Sequence, residues 1–217
     1  MTQANILLLA LAGAASMALP AHAQDAAAGQ KKAAMCIGCH GIPGYQASFP
    51  EVHKVPMISG QGAKYITSAL VAYKKGERKH PTMKAIAASL SEQDMADLSA
   101  YYEKNVRADM IKTVSDVPAP SPEVDALLKK GNCASCHGAN YSKPIDGSYP
   151  KLAGQHADYL YVALKAYQTE GNPNVGRSNA IMAGQVKQFK LAELKAISKY
   201  LATLPGELQT VPQSKFR

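Results

Sequence analysis

Hydrophobic residues recur along this chain with helical rather than strand spacing. In the stretch 61–75, Ile66, Ala69, Leu70 and Tyr73 fall at i, i+3, i+4 and i+7, which predicts one buried helical face, and Gly76 stands where a left-handed residue would end the helix. The stretch 155–170 repeats the pattern and stops at Gly171. Ser91-Glu-Gln-Asp94 has the form of a capping box and opens a helix carrying Met95, Leu98 and Tyr101, while its counterpart, Leu191 to Leu204, is closed by Pro205-Gly206. No alternating run of comparable length occurs, so the fold class is all-α.

The helical pattern is written twice. Pro56, Gly60, Gln61, Tyr65, Leu70 and Tyr73 match Pro150, Gly154, Gln155, Tyr159, Leu164 and Tyr167; further on, Arg78, Met83, Leu98 and Tyr101 match Arg177, Met182, Ile197 and Tyr200. Between the copies, residues 113–122 carry Pro118, Pro120 and Pro122, a composition suited to an extended connector. Two domains are therefore expected, 24–112 and 123–217. Each is about 90 residues long, small enough to gain from a bound group that completes its core. Aromatic content points the same way, with no Trp and 3 Phe.

Residues 1–23 contain no Lys, Arg, Asp or Glu, run apolar from Ile6 to Leu19 and end in Ala21-His22-Ala23, a small-x-small cleavage signal. That apolar run is shorter than the ~20 residues a membrane-spanning helix needs. A secretory signal peptide cleaved after Ala23, and a mature chain in the periplasm, are the expectation. In such an oxidising compartment cysteines ordinarily pair as disulfides.

The 4 Cys are spaced for something else. Cys36-Ile-Gly-Cys39-His40 and Cys133-Ala-Ser-Cys136-His137 are both Cys-x-x-Cys-His, the attachment signature of c-type haem. Two thiols three positions apart can each add to one vinyl group of the porphyrin, and the following His is then held against the iron. A zinc site would bring two Cys pairs together, but here each pair sits in its own copy of the repeat, already followed by His. A thioredoxin-like pair would need a βαβ context. Local disulfides would leave two identically placed histidines unexplained. Two covalently bound haems c, attached through Cys36, Cys39, Cys133 and Cys136 and ligated by His40 and His137, are expected.

The second axial ligand decides what the iron can do, since Met raises the potential and an open position admits ligand chemistry. The repeat sorts the methionines. Met83 pairs with Met182, and these lie 43 and 45 residues beyond His40 and His137, whereas Met57 aligns with Lys151 and Met95 with Leu194. His80 competes with Met83 in the first copy; its counterpart Asn179 cannot ligate iron. His53 and His156 lack repeat partners and are expected at the surface. Arg78 and Arg177, each five residues before the candidate Met, are placed to pair with haem propionates, and Tyr73, Tyr167, Gln61 and Gln155 are candidates to donate hydrogen bonds around the cofactor.

A signal sequence, two CxxCH motifs about a hundred residues apart, a Pro-x-Ile/Leu-x-Gly-Gln segment and a later Met in each half together resemble the cytochrome c4 family of di-haem class I cytochromes c. The resemblance covers nearly all of the mature chain. It implies two tandem cytochrome c domains facing each other, His/Met ligation of both irons, and proximal histidines whose Nδ1 donates to the carbonyls of Pro56 and Pro150. It also implies redox partner proteins: a donor such as a quinol-oxidising cytochrome bc complex and a terminal haem-copper oxidase as acceptor.

Formal charge is +8, and the halves 24–112 and 113–217 contribute equally, each with 12 basic and 8 acidic side chains. A positive surface suits salt-sensitive docking on acidic partners, or peripheral association with anionic membrane surfaces. Export excludes nucleic acid as a partner. An electron carrier with no substrate of its own is the leading expectation. A di-haem peroxidase or sulfur-compound oxidase would need an exchangeable iron position, and a fixed electron-transfer subunit would need a stable partner complex.

Overall fold

The computed structural model describes residues 24–111 and 117–212. The expected signal peptide, and positions 113–116 of the expected connector, lie outside the described residues.

The first copy of the repeat holds α1 (Ala26–Lys32), α2 (Ala34–His40), β1 (Gln46–Ala47), β2 (His53–Lys54), α3 (Ala63–Lys75), β3 (Arg78–Lys79), α4 (Pro81–Ala88) and α5 (Glu92–Lys104). The second holds α6 (Pro122–Lys130), α7 (Ala134–His137), α8 (Ala157–Tyr167), β4 (Gly176–Arg177), α9 (Ala180–Val186) and α10 (Leu191–Thr203). In both, the first helix crosses the last, the middle long helix packs on the last, and a short Met-bearing helix packs on the middle one. The architecture is all-α, as the periodicity predicts. The strands are two residues each, too short to show as an alternating pattern.

The helix ends follow from local chemistry. Ser91 accepts from the Asp94 N–H while the Asp94 carboxylate accepts from the Ser91 N–H, completing the expected capping box of α5. Gly76 closes α3 at φ 77°. The helix predicted over 61–75 starts instead at Ala63, because Gly60 turns the chain at φ 82° and the Gln61 side chain is engaged elsewhere. Gly154 makes the same turn at φ 77°, so α8 starts at Ala157 and not at Gln155; it also ends at Tyr167, short of the predicted Glu170.

Each half encloses its own core. Met95 and Leu98 anchor the first, at 1% and 2% exposure, and the aligned Leu194 and Ile197 anchor the second, at 0% and 4%. Ser99 and Ser198, both fully buried, each donate a hydroxyl proton to the carbonyl four residues back, Met95 and Leu194, and so satisfy a polar group in an apolar setting.

The halves are joined by more than their connector. β3 pairs antiparallel with β4, setting Arg78 opposite Arg177, and β2 of the first half, paired with β1, lies against α8 of the second. Ion pairs Lys165–Glu51 (2.7 Å) and Lys64–Asp146 (3.0 Å) cross the boundary. His53 corrects the sequence expectation: it is buried, with Nδ1 donating to the Glu51 carbonyl (2.8 Å) and its ring stacked on Tyr159 of the other half. Its burial depends on a neighbour more than a hundred residues away in sequence.

Candidate functional site

Helix geometry brings each Cys-x-x-Cys-His together. Cys36, Cys39 and His40 occupy the last two turns of α2, and Cys133 caps α7 in helical conformation so that Cys136 and His137 follow on the same coil. None of the four cysteines is joined in a disulfide. The two Cys pairs are not gathered into one cluster: among the described residues no group of three His, Cys, Asp or Glu side chains converges on a metal-sized site.

Each histidine is fixed by one bond. His40 Nδ1 lies 2.9 Å from the Pro56 carbonyl and His137 Nδ1 lies 2.9 Å from that of Pro150. A carbonyl can only accept, so Nδ1 carries the proton and Nε2 keeps its lone pair. Burial lowers the pKa of both imidazoles, the carbonyls opposing it, and both rings are held neutral. A neutral imidazole with Nε2 unprotonated is the form a metal binds.

Met83 and Met182 occupy the same position, the third residue of α4 and of α9. Their backbone N–H groups donate to the helix cap in each case: Met83 to His80 Nδ1 (3.4 Å) and Met182 to Asn179 Oδ1 (2.9 Å). His80 thus does what Asn179 does. With Nδ1 accepting, the neutral ring carries its proton on Nε2, and the Nδ1 lone pair is engaged by the cap. Burial lowers the His80 pKa and favours this neutral form, while the Phe49 ring packs on it edge-on at 5.9 Å.

All these groups line one cavity of about 530 Å³ that runs through both halves, walled by apolar side chains such as Ile66, Leu98, Leu160 and Leu194. Two features of its wall fit a haem. The buried Tyr102 hydroxyl has only the Cys36 thiol beside it, and Arg78 Nε is buried without a hydrogen-bond partner. Arg78 and Arg177 stand opposite one another in the β3–β4 pair, and among the described residues neither has a carboxylate partner. They settle on tyrosines: Arg78 donates to the hydroxyls of Tyr159 (2.7 Å) and Tyr65 (3.2 Å), Arg177 donates to Tyr159 (3.2 Å), and the two lie over the rings of Tyr73 and Tyr167. Burial opposes ionisation of Tyr159, but the two arginines outweigh it and bring its pKa to about 8. Two half-buried cations brought together without an anion are costly, and macrocycle propionates would supply the missing charge.

Gln61 and Gln155, read from the sequence as donors toward the cofactor, are used across the boundary between the halves. Tyr65 and Tyr159 are visible in the sequence only as members of the repeat; standing 13 and 18 residues before the arginines of their own halves, they give no sign that Tyr159 meets both guanidiniums and Tyr65 that of Arg78.

Tandem all-helical domains, each with paired thiols, a neutral imidazole and a thioether around an apolar cavity, define a di-haem electron-transfer protein. The family model described as Cytochrome c matches residues 26–104 and again 123–205. Cytochrome c4 of Azotobacter vinelandii is 31% identical over 221 residues, which takes in 94% of this chain and 100% of that one. A protein of Stutzerimonas stutzeri named thiosulfate dehydrogenase electron acceptor is 30% identical, covering 92% of this chain and 96% of its own. The crystal structure of reduced recombinant cytochrome c4 from Pseudomonas stutzeri superposes with a TM-score of 0.57 at 28% identity, over 84% of this chain and 100% of that one. The chain belongs to the cytochrome c family, in its di-haem cytochrome c4 branch, and carries two covalently bound haems c.

Proposed function

We propose that this protein is a periplasmic carrier with no catalytic activity of its own, moving single electrons between respiratory partners through haems held at Cys36/Cys39 and Cys133/Cys136. His40 and Met83 ligate the first iron, His137 and Met182 the second, in domains 24–112 and 123–217 exported by a signal peptide cleaved after Ala23. The haem iron supplies a one-electron ferric/ferrous couple. The protein supplies the rest: a fixed imidazole tautomer, a thioether donor that favours the ferrous form, apolar walls that exclude water, and arginines that balance propionate charge. A donor such as a cytochrome bc complex and a terminal haem-copper oxidase are the proposed partners. The observation that carries the reading is the duplicated cap: His80 and Asn179 accept from the N–H of Met83 (3.4 Å) and Met182 (2.9 Å) at the same helix position, which favours methionine at both irons.

The named relative of Stutzerimonas stutzeri favours a second donor, an enzyme that oxidises an inorganic sulfur compound and needs an acceptor for the electrons. The experiment that tests the reading is a haem count together with the near-infrared spectrum of the oxidised protein. Two haems, both with a methionine-to-ferric-iron charge-transfer band and neither binding added cyanide readily, are expected. One haem lacking the band and binding peroxide would replace the carrier with an enzyme.

A further inference from the structure

The two glutamines of the repeat are exchanged. Gln155 Nε2 donates to the Met57 carbonyl (2.9 Å) and its Oε1 accepts from the Met57 N–H (3.0 Å), while Gln61 Nε2 donates to the Lys151 carbonyl (3.0 Å) and its Oε1 accepts from the Lys151 N–H (2.9 Å). Each carboxamide thus pairs with the backbone of a single residue in the opposite half. Both side chains are buried, at 4% and 3% exposure. The amide orientation is settled by a third bond, since each Oε1 also accepts from the next N–H of its own chain, Gly62 or His156 (both 3.0 Å).

The residue gripped is the one that matters. The Met57 N–H and the Pro56 C=O belong to the same planar peptide group, and Pro56 C=O is the acceptor for His40 Nδ1. The Lys151 N–H and the Pro150 C=O stand in the same relation to His137. An acceptor on the N–H of a peptide raises the negative charge on its oxygen, and serial hydrogen bonds strengthen one another by roughly 10–30%. A stronger acceptor at Nδ1–H gives the imidazole more anionic character and makes Nε2 a better donor to a metal.

We propose that Gln155 and Gln61 are positioning residues for the opposite haem: Gln155 tunes His40 and Gln61 tunes His137, each through one peptide group, so that docking of the halves sets the proximal field of both irons. The inference rests on His40 and His137 being the iron ligands. An amide is the side chain the arrangement calls for, because it presents a donor and an acceptor side by side to the C=O and N–H of one residue.

The test uses the full di-haem protein, reduced and 15N-labelled at histidine, with both midpoint potentials measured in parallel. In the unaltered protein two Nδ1–H resonances displaced by a haem ring current are expected, one assigned by its contacts to Pro56 and one to Pro150. Gln155→Leu is expected to move the His40 proton upfield and raise the first haem's potential, leaving the His137 proton in place; Gln61→Leu does the reverse. Gln155→Glu, which keeps an acceptor for the Met57 N–H, is expected not to move the His40 proton upfield. Gln155→Asn, one methylene too short to reach, gives the same sign as leucine should leucine compromise folding.

Lys165→Met removes the ion pair to Glu51 across the same boundary and leaves the relay untouched, so neither proton should respond. Equal movement of both protons in Gln155→Leu, or the same movement in Lys165→Met, would overturn the relay in favour of general loosening of the interface. No response to Gln155→Leu, with both ring-current-shifted protons present in the unaltered protein, overturns the relay alone. Absence of those protons from the unaltered protein overturns the ligand assignment, and the relay with it.

Discussion

The two halves are copies that keep their chemistry by different means. In the first, α1 is pinned to α5 by charge: Lys32 pairs with Asp94 (2.7 Å) and Asp97 (2.8 Å), and Asp97, with its side chain only 4% exposed, also accepts from the Asp25 N–H and from Gln93. In the second, the equivalent crossing of α6 and α10 is closed by Leu127, Leu128, Leu194 and Leu201. The segment from the CxxCH motif to the proline that binds its histidine also differs. It spans 16 residues in the first half, enough for the β1–β2 pair to form and for β2 to reach α8, and 13 in the second. What stays the same in both halves is the imidazole-to-proline bond, the capped methionine and the crossed glutamine. Duplication has left free whatever only holds a helix in place, and has kept the groups that face the cavity.

The largest expected effects test whether the halves are equivalent at the irons. Met83→Ala and Met182→Ala should each abolish about half of the methionine-to-ferric-iron absorption and lower the potential of one haem, read by near-infrared spectroscopy and a redox titration. Unequal losses would show that only one half uses its methionine. Next in size, Leu194→Ala empties the centre of the apolar core of the second half and should cost about 3 kcal/mol in denaturant unfolding, with the first half's transition unmoved.

Asp97→Ala probes the contrasting device and should cost the first half about 2 kcal/mol, since it strips hydrogen bonds from a buried carboxylate network. The pH dependence has a definite sign. Lys32 holds the carboxyls of Asp97 and Asp94 below the usual aspartate range, with burial opposing it, so the unfolded chain binds protons first. The stabilisation is complete above about pH 4 and drains away as pH falls through the lowered folded values. The first half should therefore loosen in acid before the second, as measured by domain-resolved hydrogen exchange, and Asp97→Ala should narrow the difference, the Lys32–Asp94 pair keeping the remainder.

The repeat made most of this legible in sequence. It separated Met83 and Met182 from the other methionines, and spacing alone located α3, α5, α8 and α10 to within a few residues. What stayed hidden lies between the halves. Gln61 is hydrogen-bonded to a residue 90 positions away and Gln155 to one 98 away, and nothing in a local pattern distinguishes such a partner from a cofactor. His53 read as a surface residue because its burial is made by Tyr159. Arg78 and Arg177 were recognisable as a pair, but their antiparallel meeting required β3 and β4, which are too short to leave a sequence signature.

The smallest expected effect is the most discriminating for the first iron. His80 and Asn179 perform one task, accepting the N–H of the methionine three residues on, and Asn is as good an N-cap as any side chain. His80→Asn should therefore change stability by less than about 0.5 kcal/mol and leave the charge-transfer band intact, whereas His80→Ala should cost about 1 kcal/mol through the lost cap. Asn179→His, the reciprocal exchange, should leave the second haem's spectrum unchanged. Loss of the low-spin signature in His80→Asn with the band unaltered in Met83→Ala would reverse the assignment: the histidine would then be the ligand and the cap incidental. Retention in the first and loss in the second would establish that one helix start, capped by two different side chains, presents the same thioether to each iron.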